Sequence, residues 1–236
     1  MDIVICVGPN DTDIIQRQLE FTKRNVVGYR NIYLVTPNTT LEIPGCITID
    51  ESIYPFSKHT VSNYHGKNDR NGWYLQQLLK LYAGLVIPNI TERYLVIDAD
   101  TFFLKPTMFV EDGKSLYNVG YEYHVPYFTH MANLHPDLSK RIEQSGICHH
   151  MVFETAYVKD LFYLVESRHN EAFYKVFLRC VTDHNGSGAS EYEMYLNFMI
   201  KFHPNVIKIR ALSFKNSNTL DIKSNYDYIS WHWYMR

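Results

Sequence analysis

The chain has 236 residues, 46% apolar and 20% charged, enough to bury one sizeable core and ordinary for a globular protein. Its formal net charge is −2 with no basic run, which excludes a polyanion such as DNA as an expected partner. No stretch of about 18 apolar residues occurs, so no membrane-spanning helix is expected.

In chain order, residues 3–7 (Ile-Val-Ile-Cys-Val) form a short continuous apolar run, as in a strand buried on both faces. Gly8-Pro9-Asn10-Asp11 breaks it, and Asp11 or Thr12 is placed to cap a helix carrying Ile14, Ile15, Leu19 and Phe21. Residues 31–36 predict a second strand and 46–50 a shorter third ending on Asp50. Strand, helix, strand implies a parallel crossover and a doubly wound start. Residues 57–72 are polar and read as a loop. Residues 73–85 predict a helix with Leu75, Leu78, Leu79, Tyr82 and Leu85 on one side. Gln76, Gln77 and Lys80 lie close to that apolar side, and a buried lysine needs a carboxylate or a phosphate as partner. The strongest strand, 94–97, runs out onto Asp98-Ala99-Asp100, after which Thr101-Phe102-Phe103-Leu104 resumes apolar character.

Further on, strands are predicted at 117–123, 150–153 and 206–209, and helices at 156–167, 171–180 and 190–202. Ser190 with Glu193 three residues later reads as a capping box, which leaves Glu191 unexplained. His149 and His150 face opposite ways if extended, so they cannot share one metal; one lines a pocket and the other packs. The tail carries Trp231-His232-Trp233-Tyr234. The four cysteines form no CxxC pair, and three sit in apolar stretches as expected buried free thiols. With no signal-like segment ahead of the first strand, a reducing, cytoplasmic setting is expected. The 19 tyrosines suit sugar or base stacking and ordinary half-buried packing alike.

Asp98 and Asp100 are the sharpest feature. Two carboxylates at i and i+2 on an extended segment point the same way. Ligands of open α/β sheets collect beyond the carboxyl ends of the strands, where this pair sits. The two can converge on one divalent cation, or on a cation and a ribose hydroxyl; Mg²⁺ or Mn²⁺ held this way keeps positions open for substrate phosphates. The alternative is an aspartate pair that caps a turn.

Residues 73–81 (Trp-Tyr-Leu-Gln-Gln-Leu-Leu-Lys-Leu) together with 94–106 (Tyr-Leu-Val-Ile-Asp-Ala-Asp-Thr-Phe-Phe-Leu-Lys-Pro) resemble GT-A-fold glycosyltransferases that carry a DxD motif. The similarity is greatest to the group found in bacterial polysaccharide clusters and some large viruses, and more distant to glycogenin-like enzymes. It is most specific over residues 70–106. The resemblance implies one α/β domain of GT-A type, with a Rossmann-like mixed central sheet and helices on both faces. Residues 1–106 would form the nucleotide-sugar half, and 107–236 the acceptor half and tail. It implies Asp100 as a metal ligand, Asp98 shared between metal and ribose, and His232 completing the shell, an imidazole suiting Mn²⁺ better than Mg²⁺. Val7, Gly8 and Pro9, with Ala99, match the place that receives base and ribose of a UDP- or GDP-sugar. Asp50 either accepts from the base or is a turn residue. Arg70, Gln77 and Lys80 are candidates for phosphate or donor-sugar contact. Glu191 matches the acidic residue this fold projects towards the acceptor, and in an inverting enzyme it would be the general base.

The reaction so implied moves a sugar from a nucleoside diphosphate to an acceptor hydroxyl, expected to be on a glycan, as in polysaccharide biosynthesis. A sugar nucleotidyltransferase would carry a Gly-rich, basic loop after the first strand, and Val7-Gly8-Pro9-Asn10-Asp11 does not. A metal-dependent phosphohydrolase needs more clustered Asp and His ligands. An inactive nucleotide-sugar-binding protein remains an alternative.

Overall fold

The computed structural model describes residues 1–232 and Met235; Trp233, Tyr234 and Arg236 of the aromatic tail lie outside the described residues. In chain order the elements are β1 (Asp2–Cys6), α1 (Ile15–Asn25), β2 (Ile32–Thr36), β3 (Ile47–Asp50), α2 (Lys58–His65), α3 (Asn71–Val86), β4 (Arg93–Ile97), β5 (Thr101–Phe103), β6 (Val110–Glu111) and β7 (Lys114–Asn118). They continue with α4 (Val125–Leu134), β8 (His150–Glu154), α5 (Thr155–His169), α6 (Phe173–Arg179), α7 (Glu191–Phe202), β9 (Ile207–Arg210), β10 (Phe214–Asn216) and β11 (Tyr228–Ser230).

The central sheet has the order β3-β2-β1-β4-β8. Its first four strands are parallel and β8 is antiparallel to β4, so the sheet is mixed. The apolar runs of β1, β2 and β4 explain this directly, because alternate residues enter two different cores. Val4, Cys6, Tyr33, Val35, Tyr94 and Val96 pack with α3, α5, α6 and α7 on one face. Ile3, Ile5, Ile32, Leu34, Leu95 and Ile97 pack on the other with Ile15 and Leu19 of α1. The expected α/β architecture, with helices on both faces of a mixed sheet, is what the chain adopts.

Two small sheets flank the central one, β10-β11-β5 and β6-β7-β9. In the first, β11 runs antiparallel to β5, with Ser230 opposite Thr101. That pairing carries the tail back to the end of β4.

Several local expectations need correction. Residues 57–72 hold the helix α2: Ser57 Oγ accepts from Thr60 N, and Thr60 Oγ1 accepts from Ser57 N, a capping box in a polar segment that buries only Val61 and His65. Two buried positions give too little periodicity to see. The helix α1 has Ile14 at its N-cap with no side-chain cap, while Thr12 Oγ1 donates to Pro9 O in the 3-10 turn before it. The strand expected at 117–123 is β7, which ends at Asn118; from there the chain leaves the sheet through a bridge between Gly120 and Ser145. The four cysteines are free, and Cys6, Cys148 and Cys180 are buried. No helix among the described residues is long and apolar enough to cross a membrane.

Asp2 ties the start of the sheet together. Its buried carboxylate accepts from Arg30 Nη2 at 2.6 Å, Thr91 N at 2.8 Å and Asn31 N at 3.1 Å. Burial pushes its pKa up, but Arg30 and the two backbone N–H groups win, and the net shift is down. Its contribution is therefore complete above the ordinary carboxylate value and lost as pH falls through the lower folded value. Asp2→Ala is expected to cost about 1–3 kcal/mol at pH 6, because buried N–H donors lose their acceptor. The cost should shrink at pH 3, and urea midpoints at the two pH values measure it.

Candidate active site

The strand order reverses between β1 and β4, so crossovers leave in opposite directions there, the point beyond the strands' carboxyl ends where sheets of this kind hold their ligand crevice. Val7, Gly8 and Pro9 leave β1 at this point, and Asp98, buried Ala99 and Asp100 leave β4. From α3, Gln76 Nε2 reaches Cys6 O at 3.4 Å. Burial pushes the Cys6 thiol up to about 12, so it packs as a neutral group.

Asp98 is held from three sides. Its Oδ1 accepts from Lys80 Nζ at 2.6 Å and from Tyr192 Oη at 2.8 Å. Its Oδ2 lies 3.5 Å from His149 Nδ1. Burial alone would raise its pKa, but the Lys80 ammonium and the His149 contact hold it well below the usual carboxylate range. Lys80, 3% exposed, also donates to Glu191 Oε1 at 2.7 Å. Burial disfavours its charge, and the two carboxylates more than offset this, so its pKa is raised. The partner that a buried lysine requires is thus two carboxylates, one from the end of β4 and one from the start of α7.

Glu191 is 3% exposed. Burial raises its pKa and Lys80 offsets only part of the rise. Its backbone N–H donates to Gln77 Oε1 at 3.1 Å, so Gln77 orients the first turn of α7. Ser190 Oγ caps Glu193 N at 3.2 Å. The reciprocal half of the expected capping box is not made. The Glu193 carboxylate turns away to accept from Ser145 Oγ at 2.7 Å and Gly146 N at 2.8 Å. Gly146 is required there, since a Cβ would lie 2.8 Å from Tyr192 O.

Asp100 receives the tail. Trp231 N donates to Asp100 O at 2.8 Å, and His232 Nδ1 lies 2.9 Å from Asp100 Oδ2. The β5–β11 pairing positions both. Burial pulls the His232 pKa down, but the carboxylates of Asp100, Asp98 and Glu122 push it up further, and the net shift is up.

From sequence, one member of the His149–His150 pair lines a pocket, and in the structure it is His149. Its backbone is left-handed, φ 62°, a conformation that costs roughly 1–3 kcal/mol outside glycine and that gathers at functional sites. Asp98 N donates to His149 O at 2.9 Å, and the His149 ring lies 4.7 Å from that of His232. His150 turns the other way into a nest of rings, Phe103, Phe109 and Tyr228. The alternation argument was the available signal, but it could not tell which histidine faced in.

Arg70 and Asp50 are engaged elsewhere. Arg70 Nε donates to Gly186 O at 3.2 Å, Nη2 donates to Ser187 Oγ, and the guanidinium stacks on Trp73, locking the Gly/Ser loop. Asp50 Oδ1 accepts from Ser52 N at 2.8 Å and caps a 3-10 turn, the turn role left open for it.

Asp98 with His149 and Asp100 with His232 form two neighbouring carboxylate–imidazole pairs. Among the described residues no three His, Cys, Asp or Glu side chains already converge on one cation position. Carboxylate oxygens and imidazole nitrogens are donor types that divalent metals take. Asp100 Oδ2 and His232 Nδ1, 2.9 Å apart, are hydrogen-bonded to each other. Two carboxylates with imidazole nitrogen suit Mn²⁺ better than Mg²⁺.

The sequence profile of DUF6492, a family of unknown function, matches residues 19–224. The chain belongs to the DUF6492 family. Among solved structures, the chain is similar to the apo form of mouse xyloside xylosyltransferase 1, with TM-score 0.44 and 9% identity, over 97% of this chain and 96% of that one. No curated protein matches the sequence. The profile covers the DxD segment, Lys80, His149 and Glu191, and stops before His232.

Proposed function

We propose that this DUF6492 chain is a glycosyltransferase of the GT-A type that moves a sugar from a nucleoside-diphosphate donor to an acceptor hydroxyl. The observation that carries the reading is the pair of carboxylate–imidazole contacts, Asp98 with His149 and Asp100 with His232, side by side where the strand order reverses. Asp100, Asp98 through its Oδ2, and His232 would hold a divalent cation, Mn²⁺ in preference to Mg²⁺, which when bound offsets charge on the leaving diphosphate. The base and ribose of a UDP- or GDP-sugar would lie against Val7, Gly8 and Pro9, where Gly8 lets the backbone come close.

Lys80 supplies positive charge at the inner wall and fixes the spacing of Asp98 and Glu191. Glu191 has two roles open to it, base on the acceptor hydroxyl or charge partner of Lys80. Its burial and its 2.7 Å contact with Lys80 support the second. The chemistry of the crevice asks for a diphosphate rather than a pyrophosphate product, because the loop after β1 has no lysine or arginine to bind a triphosphate.

Two measurements test the reading. Mn²⁺ with UDP or GDP should raise the melting temperature by several degrees, and Mn²⁺ alone by less. Incubation with UDP- and GDP-sugars should release nucleoside diphosphate slowly and no pyrophosphate. Release of pyrophosphate would replace this reading with nucleotidyl transfer, and the absence of any nucleotide-dependent shift would remove the donor.

A further inference from the structure

The segment between β7 and α4 is pinned at two points and stands clear between them. Gly120 N donates to Ser145 O at 2.8 Å, and Ser145 N donates to Gly120 O at 2.9 Å. A Cβ at Gly120 would lie 3.3 Å from Phe214 Cζ and 3.4 Å from Ile147 O, so this backbone is pressed against the segment that leads into His149. Four residues on, His124 Nε2 meets Ser187 O at 2.8 Å. Between the pins lie Tyr121, 92% exposed, Glu122, also exposed, and Tyr123, 67% exposed.

Through Gly120 and Ser187 the segment is joined to residues that contact the candidate site. Phe214, which Gly120 touches, also faces the His149 ring at 6.0 Å, and His149 faces His232. The second pin, Ser187, belongs to the loop that Arg70 holds and that leads into Glu191. Tyr123 is oriented by the Phe128 ring at 5.0 Å, with Lys140 Nζ 5.8 Å from its own ring. Among the described residues Tyr121 stacks on no other ring, although its backbone neighbours are fixed. An aromatic ring held in water on a rigid support adds nothing to the core and is pre-organised to cover a flat apolar face.

We propose that Tyr121, Glu122 and Tyr123 form the docking platform for a neutral saccharide acceptor. A pyranose has an apolar C–H face and a rim of hydroxyls. The tyrosine rings cover the face, and the carboxylate of Glu122 accepts from one or two hydroxyls in charge-assisted hydrogen bonds. Its negative charge disfavours phosphorylated or acidic sugars. The platform rests on the glycosyltransferase reading only in being the acceptor side of that site; saccharide binding itself can be tested without donor.

The full chain is prepared with 3-fluorotyrosine at position 121 and titrated, by ¹⁹F NMR, with maltotriose, chitotriose, mannotriose and xylotriose to about 20 mM, enough to approach saturation of a millimolar site. At least one trisaccharide should shift the resonance saturably, and in the unlabelled protein Tyr123→Ala and Glu122→Gln should each weaken its binding about fivefold or more, with the melting temperature reporting that the fold is intact. No shift with any of the four, in a protein that still responds to Mn²⁺ and UDP or GDP, overturns the platform, as does a shift that neither variant weakens. Saccharide binding in a protein with no nucleotide response leaves the platform standing and removes the transferase reading instead.

Discussion

Lys80→Met is expected to cost about 3–5 kcal/mol of folding stability, among the largest effects available to one substitution here. The lysine is 3% exposed and is shared by Asp98 and Glu191. Without it, two buried carboxylates face each other, with Tyr192 Oη and His149 Nδ1 left beside Asp98. One of them must take up a proton, and Glu191, whose pKa is already raised by burial, is the one that does. A carboxyl whose folded pKa lies above its unfolded value costs nothing below the unfolded value. Its cost grows as pH rises towards the folded value and is constant above that. The loss in Lys80→Met should therefore be larger at pH 8 than near pH 4, where the part that comes from Asp98 remains, as read by urea denaturation at both. Glu191→Gln placed in the Lys80→Met background should recover part of the loss, giving a coupling of about 1 kcal/mol or more in a double-mutant cycle. Additive effects would mean that the two side chains do not share the charge as their geometry implies. Glu191→Gln alone also decides between its two roles: retained donor hydrolysis and transfer within a few-fold supports the partner of Lys80, whereas a loss of about 10²–10⁴ in transfer alone assigns the base.

The second large effect is expected at Asp100. Asp100→Ala should abolish the Mn²⁺-dependent part of the nucleotide-induced melting shift and lower donor hydrolysis by about 10²–10³, the usual loss when a group that stabilises developing charge is removed. His232→Ala should weaken Mn²⁺ by a smaller factor, about 10–100, if carboxylates remain to hold the ion. Melting of each variant without ligand separates these losses from damage to the fold, since Asp100 also anchors the tail through Trp231 N. Unchanged Mn²⁺ dependence in Asp100→Ala would send the metal assignment elsewhere.

Much of this arrangement is legible in the sequence because the signals are strong and local. An apolar run too continuous for a one-sided strand announced β1 and β4 as central, and both are buried on two faces. The carboxylates at i and i+2 after such a strand needed no structure to be singled out. Lys80 was legible as a charge on an apolar helix face, though not that it would be divided between two acids. His232 is different in kind. Nothing in its own surroundings points to Asp100, 132 positions away, and only the family resemblance connected them; the physical link is the antiparallel pairing of β11 with β5. The misses share one cause. The helix α2, the reach of Glu193 to Ser145 and the inward turn of His149 depend on partners distant in sequence, where local pattern is silent. Glu193 shows the hazard plainly: a motif that fits a capping box on paper was drawn off by better donors across the fold.

The reversed direction of β8 has a geometric consequence of its own. Because β8 runs against β4, its amino end lies beside the carboxyl end of β4, with His150 opposite Ile97. Strands rise about 3.3 Å per residue, so a parallel strand in the same place would have delivered its other end and left residue 149 roughly 16 Å down the sheet. One change of polarity at the sheet's edge thus supplies the crevice with a second source of imidazole, drawn from a chain segment about fifty residues past the aspartates. Direction of travel, rather than any added loop, sets how many imidazoles this crevice can offer.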